Sequence, residues 1–281
     1  MTQADREVRL HDPQALYRNW EGEQWSPFEI DLSGDREQWK TMDDEDRSLV
    51  LWALSSLMVA EERITTKFGG LVLARASEEE ATFLATQQVD EARHMQFYAR
   101  FRDEVIADPQ AIGTHVAAAR QLLSPAFATL FDEALVRAHE RLLAAPADAG
   151  AKVDFVTTYH MVIEGTLGLT AFRFITGYLE AEGLLPGFVA GYSKIHHDEH
   201  RHIGYGTWFL REAVREDPAL GDRVRQTLRE LLPAIAQTLT PPDRDGTVWD
   251  ALGASGDEIR EFALGGLTRR LAIVGVPLSS L

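Results

Sequence analysis

Ionisable residues lie in the middle of apolar helical stripes in this 281-residue chain. Glu61 interrupts one stripe, and Glu91 and His94 interrupt another. The apolar members of the two stripes are Leu54, Leu57, Met58, Ile64 and Phe68 in the first, and Leu84, Tyr98 and Phe101 in the second. A buried carboxylate costs roughly several kcal/mol unless it is paired or bound to a cation. The pattern therefore demands a fold in which such helices turn their charged groups towards one another.

Helical periodicity runs through most of the chain, and alternating strand patterns are nearly absent, so the sequence predicts an all-α protein. The predicted helices span residues 45–76, 78–107, 109–145, 150–181, 185–214, 219–239 and 255–274. Breaks such as Asp108-Pro109 and Leu185-Pro186-Gly187 have the chemistry of turns. No low-complexity tract divides the chain, which predicts one domain over residues 1–281. It would consist of an irregular N-terminal arm (1–44), core helices (45–214) and C-terminal helices (215–281).

Composition excludes several kinds of partner and site. The net charge of -16 makes nucleic acid a poor partner, because phosphate binding needs a basic face. The chain has no cysteine, so a metal must be held by nitrogen and oxygen ligands. The absence of disulfides fits a reducing compartment, and we expect a cytoplasmic protein. The polar N-terminus and the lack of a long apolar run predict no transmembrane segment.

Two Glu-x-x-His pairs, Glu91-Ala-Arg-His94 and Glu199-His-Arg-His202, place a carboxylate and an imidazole on one helical face. Each pair follows a helix that carries another glutamate: Glu61 precedes Glu91 by 30 residues, and Glu164 precedes Glu199 by 35. Two such pairs and two single glutamates are the ligand set of ferritin-like dinuclear carboxylate proteins. Carboxylate-rich ligation without thiolates suits iron and manganese.

Neighbouring residues compete for some of these roles. Glu62 adjoins Glu61 but shares its helical face with small and polar residues, so Glu61 is the predicted ligand. Around the second pair, only His202 has the i+3 spacing from Glu199. Three other histidines are assigned to the surroundings of the site or to solvent: His196, His197 and His200.

Residues 17–214 resemble the ribonucleotide reductase small-subunit-like group of the ferritin-like proteins. The resemblance rests on three segments: Trp25-Ser-Pro-Phe-Glu-Ile-Asp-Leu-Ser33, Asp90-Glu91-Ala-Arg-His94 and Asp198-Glu199-His-Arg-His202. It implies six metal ligands: Glu61, Glu91, His94, Glu164, Glu199 and His202. It also implies that Trp25 and Asp198 form a hydrogen-bonded route that delivers an electron to His94 during dioxygen activation.

Two branches of this group place tyrosines differently. In the reductase branch a radical tyrosine follows the first ligand histidine by four residues, which is the position of Tyr98. In the ligand-binding oxidase branch a tyrosine becomes ether-linked to an aliphatic residue; those positions are Tyr159 and Ile64, although valine is usual at the latter. The apolar segment 268–281 resembles the closing helix of the oxidase branch and lacks the tyrosine of a reductase tail. The oxidase interpretation is therefore favoured.

The resemblance implies a dioxygen-activating oxidase with a manganese and iron pair or two iron ions. It further implies a long-chain fatty acid in a channel to the metals, and a homodimer. The expected channel wall is Gly165, Leu167, Gly168, Leu169 and Ala171. Three alternatives stay open: a radical-generating reductase subunit that uses Tyr98, an iron storage or detoxification protein, and a desaturase or N-oxygenase that shares the ligands and differs in the channel. Packing alone also explains Tyr98, Tyr159, Ile64 and Trp25 when each is taken singly.

Overall fold

The computed structural model describes residues 8–108, 124–239 and 253–280. Within these ranges every regular element is helical, which confirms the all-α prediction. No helix in them is both long enough and apolar enough to cross a bilayer. The α-helices are α1 (Pro13–Gly22), α2 (Ser33–Thr41), α3 (Asp44–Lys67), α4 (Gly69–Leu73), α5 (Glu78–Phe101), α6 (Pro125–Ala128), α7 (Leu135–Ala144), α8 (Ala149–Val156), α9 (Leu169–Glu182), α10 (Pro186–Glu216), α11 (Ala219–Thr238) and α12 (Gly256–Val274).

Helix ends follow local chemistry. The Asp43 side chain accepts a hydrogen bond from the Asp46 amide at the start of α3, and Ser77 caps α5 in the same way. Gly183 ends α9 in the left-handed conformation, with φ of 66°, which a residue without Cβ adopts at little cost. Such signals explain why most predicted boundaries lie within a few residues of the observed ones.

The N-terminal arm is not irregular in its described part, which corrects the sequence-based expectation. It contains α1, α2 and a short 3₁₀ turn at Pro27–Glu29. The two helices are short and bury only a few side chains, so they lack the long apolar stripe that marks the core helices. Helix α1 packs against α5, and α2 packs against α10. Of the helix predicted over 109–145, residues 109–123 lie outside the described residues.

A long π-helical segment, Thr157–Gly168, joins α8 to α9 where the sequence predicts an ordinary helix. In such wide turns residue i lies over residue i+5, and the Thr166 hydroxyl accordingly donates to the Met161 carbonyl over 2.7 Å. Tyr159 and Glu164 are also five residues apart, so the wide turn brings both to one side. The sequence pattern does not reveal this, because residues 157–166 are all buried and so present no apolar stripe whose period could be recognised.

Two glycines of α10 allow its close packing at the centre of the bundle. Cβ atoms at Gly191 and Gly206 would collide with the Phe97 ring and with His160, respectively. Larger residues there would push α10 away from α5 and from the π-helical segment. The fold therefore depends on glycine at these contacts for the spacing of its central elements.

Asp35 of α2 caps the N-terminus of α10. Its two carboxylate oxygens accept hydrogen bonds from the amides of Gly187, over 2.8 Å, and Phe188, over 2.6 Å. Asp35 is 1% exposed, so these bonds are shielded from water. They fix the start of α10 to the arm.

We predict that Asp35→Ala lowers the free energy of unfolding by about 1–3 kcal/mol, because it leaves buried amides without an acceptor. Urea unfolding followed by circular dichroism measures the change. Asp31→Ala is the matched control, since Asp31 accepts from the Ser33 amide in an exposed position. Equal losses in the two variants would contradict the assigned role of Asp35.

Candidate metal centre

The six predicted ligands come together from four segments of the chain. Helix α3 supplies Glu61, α5 supplies one Glu-x-x-His pair, the π-helical segment supplies Glu164, and α10 supplies the other pair. All six side chains are buried, and both histidines are fully enclosed. The ligand atoms form two overlapping groups, Glu61, Glu91 and His94 in one and Glu91, Glu164, Glu199 and His202 in the other.

The first group surrounds Nδ1 of His94. This atom lies 3.5 Å from Glu91 Oε2 and 3.8 Å from Glu61 Oε1. Glu199 Oε1 approaches it from α10 at 3.7 Å. Three carboxylates from three helices thus face one imidazole nitrogen.

The second group surrounds Nδ1 of His202. Three carboxylate oxygens lie 3.6 Å from it, and they belong to Glu91 Oε1, Glu164 Oε1 and Glu199 Oε2. The imidazole ring centroids of His94 and His202 are 6.2 Å apart. Glu91 and Glu199 each direct one oxygen to either histidine, so both are placed to bridge two neighbouring metal ions.

Two aspartates orient the imidazoles. His94 Nε2 lies 3.1 Å from Asp198 Oδ2, and His202 Nε2 lies 3.2 Å from Asp90 Oδ2. An Nε2–H donated to the aspartate leaves the Nδ1 lone pair free for a metal ion. Each aspartate directly precedes the glutamate of its own pair and bonds the histidine of the other pair.

Trp25 Nε1 donates to Asp198 Oδ2 over 2.8 Å, so the hydrogen-bonded contact that the resemblance implies is present. The position of Asp90 beside His202 was not predicted. Its signal in the sequence is that Asp90 and Asp198 occupy the same position in the two Asp-Glu-x-x-His motifs.

Unpaired polar atoms show that this donor set fits metal ions. In the described part of the chain the buried atoms without a hydrogen-bond partner include Glu61 Oε2, His94 Nδ1, Glu164 Oε2, Glu199 Oε2 and His202 Nδ1. Uncompensated buried carboxylates are expensive, and two divalent cations would satisfy all of these atoms together. Nitrogen and oxygen donors without sulfur suit iron and manganese.

The electrostatics of the cluster favour positive charge. Burial and the neighbouring carboxylates raise the pKa of Glu61 and of Glu164 well above the ordinary range. Burial lowers the pKa of His94, but hydrogen bonds to Asp198 and Glu91 outweigh it, and the pKa is raised. Protons held in this way have to leave when metal ions bind.

Further side chains hold the carboxylates. The Tyr159 hydroxyl donates to Glu91 Oε1 over 2.9 Å. Gln87 Nε2 donates to Glu164 Oε1 over 3.1 Å, and Gln87 Oε1 lies 3.2 Å from His160 Nε2. Gln87 and His160 were not predicted from the sequence. Each lies four residues before a predicted ligand, which puts it one turn along the same face.

A cavity of about 230 Å³ opens onto the centre. Glu61, Glu164 and Glu199 line its inner end. Most of its wall is apolar, and it includes Ile64 and Tyr98. Of the expected channel wall, Leu167, Gly168 and Ala171 line this cavity.

The other two expected wall residues, Gly165 and Leu169, are not among the residues that line the cavity. Gly165 instead packs tightly against the His160 carbonyl and Arg270, and the Arg270 guanidinium donates to its carbonyl oxygen.

The other histidines near the second pair lie away from the two ligand groups. His196 is partly buried and stacks on Phe172 with ring centroids 5.0 Å apart. His197 is exposed and lies 3.1 Å from Glu23 Oε2. His200 is exposed, and its Nδ1 bonds the His196 carbonyl of its own helix.

Comparison with known proteins yields one family and a set of similar structures. The sequence profile of the family described as ribonucleotide reductase, small chain, matches residues 7–237. Among solved structures, a substituted form of an R2-like ligand-binding oxidase with an aerobically reconstituted Mn/Fe cofactor is similar, with a TM-score of 0.80 and 24% identity. The match covers 94% of this chain and 93% of that one.

The same kind of protein with an anaerobically reconstituted Mn/Fe cofactor gives a TM-score of 0.81 at 24% identity, over 95% of this chain and 94% of that one. At this level of identity the similarity establishes a common fold.

We predict that Glu61→Ala weakens the binding of one of two metal ions at least about tenfold, because the His94 side of the centre loses a carboxylate. Metal analysis after anaerobic loading and desalting measures the bound ions per chain. Glu62→Ala is the matched control, because Glu62 is the exposed neighbour of the buried Glu61. If both variants retain the same metal content, Glu61 is not a ligand.

Proposed function

The chain belongs to the ribonucleotide reductase small-chain family, a family of dinuclear-metal oxidoreductases, and we propose that it is a ligand-binding oxidase that oxidises a C–H bond with dioxygen. The observation that carries this proposal is the apolar cavity that ends on three of the candidate metal ligands. A site that only stored iron would have no use for an apolar cavity at its candidate metal ligands.

The proposed cofactor is a manganese and iron pair or two iron ions, held by the six glutamates and histidines of the two groups. When bound, these ions supply the electrons that reduce dioxygen and the oxidising power that removes hydrogen from a C–H bond. The protein holds the ligands in place through Asp90 and Asp198. Its apolar cavity wall excludes water from the reacting groups.

The proposed ligand is a long-chain fatty acid or a similar lipid-like acid. Its carboxylate would lie at the inner end of the cavity, where cations bound by Glu61 and Glu164 compensate its charge. Its alkyl chain would contact the apolar wall, which includes Leu167 and Ala171. Burial of an alkyl chain contributes about 0.8 kcal/mol per CH₂ group, so a chain that fills the cavity binds far better than a short acid.

We also propose the ether link between Ile64 and Tyr159. The Tyr159 phenol donates to Glu91, so a ligand carboxylate lies ready to accept its proton. Ile64 lines the cavity beside the centre, and its Cβ carries a tertiary C–H bond. Forming the O–C bond removes one hydrogen from each residue, and the two electrons and two protons serve the reduction of dioxygen. The homodimer and the cytoplasmic location expected from the sequence stay predictions.

We predict that aerobic loading with iron, or with manganese and iron, gives a cross-linked peptide pair whose mass is lower by two hydrogens. Peptide mapping by mass spectrometry locates the link at Ile64 and Tyr159, and Tyr159→Phe abolishes it. An unmodified pair in protein that has consumed dioxygen would contradict the proposal. A stable tyrosyl signal in electron paramagnetic resonance that disappears in Tyr98→Phe would favour the radical-generating subunit instead.

We predict that extraction of the purified protein yields a long-chain acid in a ratio near one per metal site. Ala171→Trp fills part of the cavity and should lower this ratio at least about fivefold, because each lost CH₂ contact weakens binding. Ala138→Ser, within the core away from the cavity, is the control. If Ala171→Trp retains the acid at the original ratio, the acid does not bind in this cavity.

A further inference from the structure

A second tryptophan of the N-terminal arm repeats the contact that Trp25 makes. Trp20 Nε1 donates to Asp90 Oδ1 over 2.9 Å, and the other oxygen of Asp90 lies 3.2 Å from His202 Nε2. The hydrogen-bonded series Trp20–Asp90–His202 is therefore the counterpart of the series Trp25–Asp198–His94. The two series start on neighbouring parts of the arm, and one reaches His202 while the other reaches His94.

The hydrogen-bonded series of Trp20 continues outwards to Tyr17, a redox-active residue. The rings of Tyr17 and Trp20 stack, with centroids 6.1 Å apart and an interplanar angle of 25°. The Tyr17 hydroxyl donates to the Glu21 carboxylate. All three residues lie on α1 at helical spacings of three and four, which puts them on one face. Tyr17 is only partly buried, so this face leads from the centre to solvent.

The two tryptophans share a neighbouring cation but differ in what lies beyond them. The Arg93 guanidinium lies over the Trp25 ring, 5.6 Å from its centroid, and Arg93 Nη1 also lies 3.0 Å from Asp90 Oδ1, the oxygen that accepts from Trp20. Beyond Trp20, Tyr17 has a carboxylate as the acceptor of its proton. Oxidation of Tyr17 can therefore proceed without creating net charge on its ring.

We propose that Trp20 and Tyr17 form an outward route by which an oxidising equivalent leaves the metal centre when no substrate C–H bond is oxidised. In this step Tyr17 loses one electron, and its phenolic proton passes along the existing hydrogen bond to the Glu21 carboxylate. The electron moves through Trp20 and the Asp90–His202 pair to the centre. The oxidant is the dioxygen that the centre reduces, so the inference rests on the proposed function.

The geometry supports electron transfer over this route, because tunnelling falls steeply with distance and each step is a direct contact. Two hydrogen bonds join Trp20 to His202, and one ring contact joins Trp20 to Tyr17. The route would also protect the buried site from oxidation. An oxidising equivalent that stayed at the centre would attack the side chains of the cavity wall, whereas a tyrosyl radical near the surface is open to reductants in solution.

The test uses the whole protein, loaded anaerobically with two equivalents of iron(II) and then exposed to dioxygen without any reductant. A nitroso spin trap captures tyrosyl radicals, and peptide mapping by mass spectrometry locates the adducts. Tyr178 is the internal control, because its hydroxyl also donates to a carboxylate, Asp46, over 2.6 Å. Tyr178 lies far from the centre, because its partner Asp46 precedes Glu61 on α3 by 15 residues, or roughly 22 Å along the helix.

We expect adducts at Tyr17 at least about tenfold above those at Tyr178. Trp20→Phe keeps an aromatic ring but removes the N–H donor and the easily oxidised indole, and it should lower the Tyr17 adducts to the level at Tyr178. Trp25→Phe is the matched variant in the Trp25–Asp198–His94 series and should leave the Tyr17 adducts in place. If Trp20 served folding alone, Trp20→Phe protein with full metal content would keep the same ratio of Tyr17 adducts to Tyr178 adducts.

Three results would overturn the inference. Equal adducts at Tyr17 and Tyr178 in the unsubstituted protein would indicate diffusible oxidants, and persistence of the Tyr17 adducts in Trp20→Phe would exclude the route through Trp20. Loaded protein that consumes no dioxygen would overturn the proposed function and the route with it. Normal dioxygen consumption with Tyr17 unmodified would overturn the route alone.

Discussion

Buried charge is the constraint on which this structure depends. Four carboxylates and two imidazoles share a small volume at the centre of the bundle, and each is almost completely removed from water. Their mutual repulsion and their loss of hydration are unfavourable unless cations compensate them. Several of their oxygen and nitrogen atoms have no hydrogen-bond partner within the described residues. The helices therefore enclose a site that becomes energetically complete when metal ions bind.

The same constraint extends outwards through a layer of hydrogen bonds. Asp90 and Asp198 orient the histidines, and Arg201 forms ion pairs with both aspartates. Each aspartate also accepts a hydrogen bond from a tryptophan of the N-terminal arm, Trp20 or Trp25. The arm is thus connected to the metal centre by polar contacts as well as by apolar packing. This explains how short helices with few buried residues are held against the centre of the protein.

The π-helical segment and the cavity give the centre its asymmetry. Wide turns place Tyr159 and Glu164 on one side of the same segment, where one bonds Glu91 and the other enters the second ligand group. Glu164 also lines the inner end of the cavity, whose wall is mainly apolar. The centre is thus bonded to the arm through Asp90 and Asp198, and an apolar cavity reaches it at Glu61, Glu164 and Glu199.

The sequence by itself determined the fold class and the six candidate ligands, since Glu-x-x-His pairs and glutamates on apolar stripes are local, periodic features. The resemblance to a known family also pointed to Asp198 and Trp25. The sequence did not reveal the helices of the arm, because α1 and α2 lack a long apolar pattern. Nor did it reveal the roles of Trp20, Asp90, Gln87 and His160.

Those roles arise from contacts between segments far apart in the chain. Trp20 and Asp90 are separated by 70 residues, and Asp90 and His202 by 112. Local periodicity carries no information about which distant groups meet. Only the tertiary structure, through the π-helical turn and the close approach of α10 at Gly191 and Gly206, decides those distances. The candidate ligands could be identified from the sequence, but the arrangement of residues around them could not.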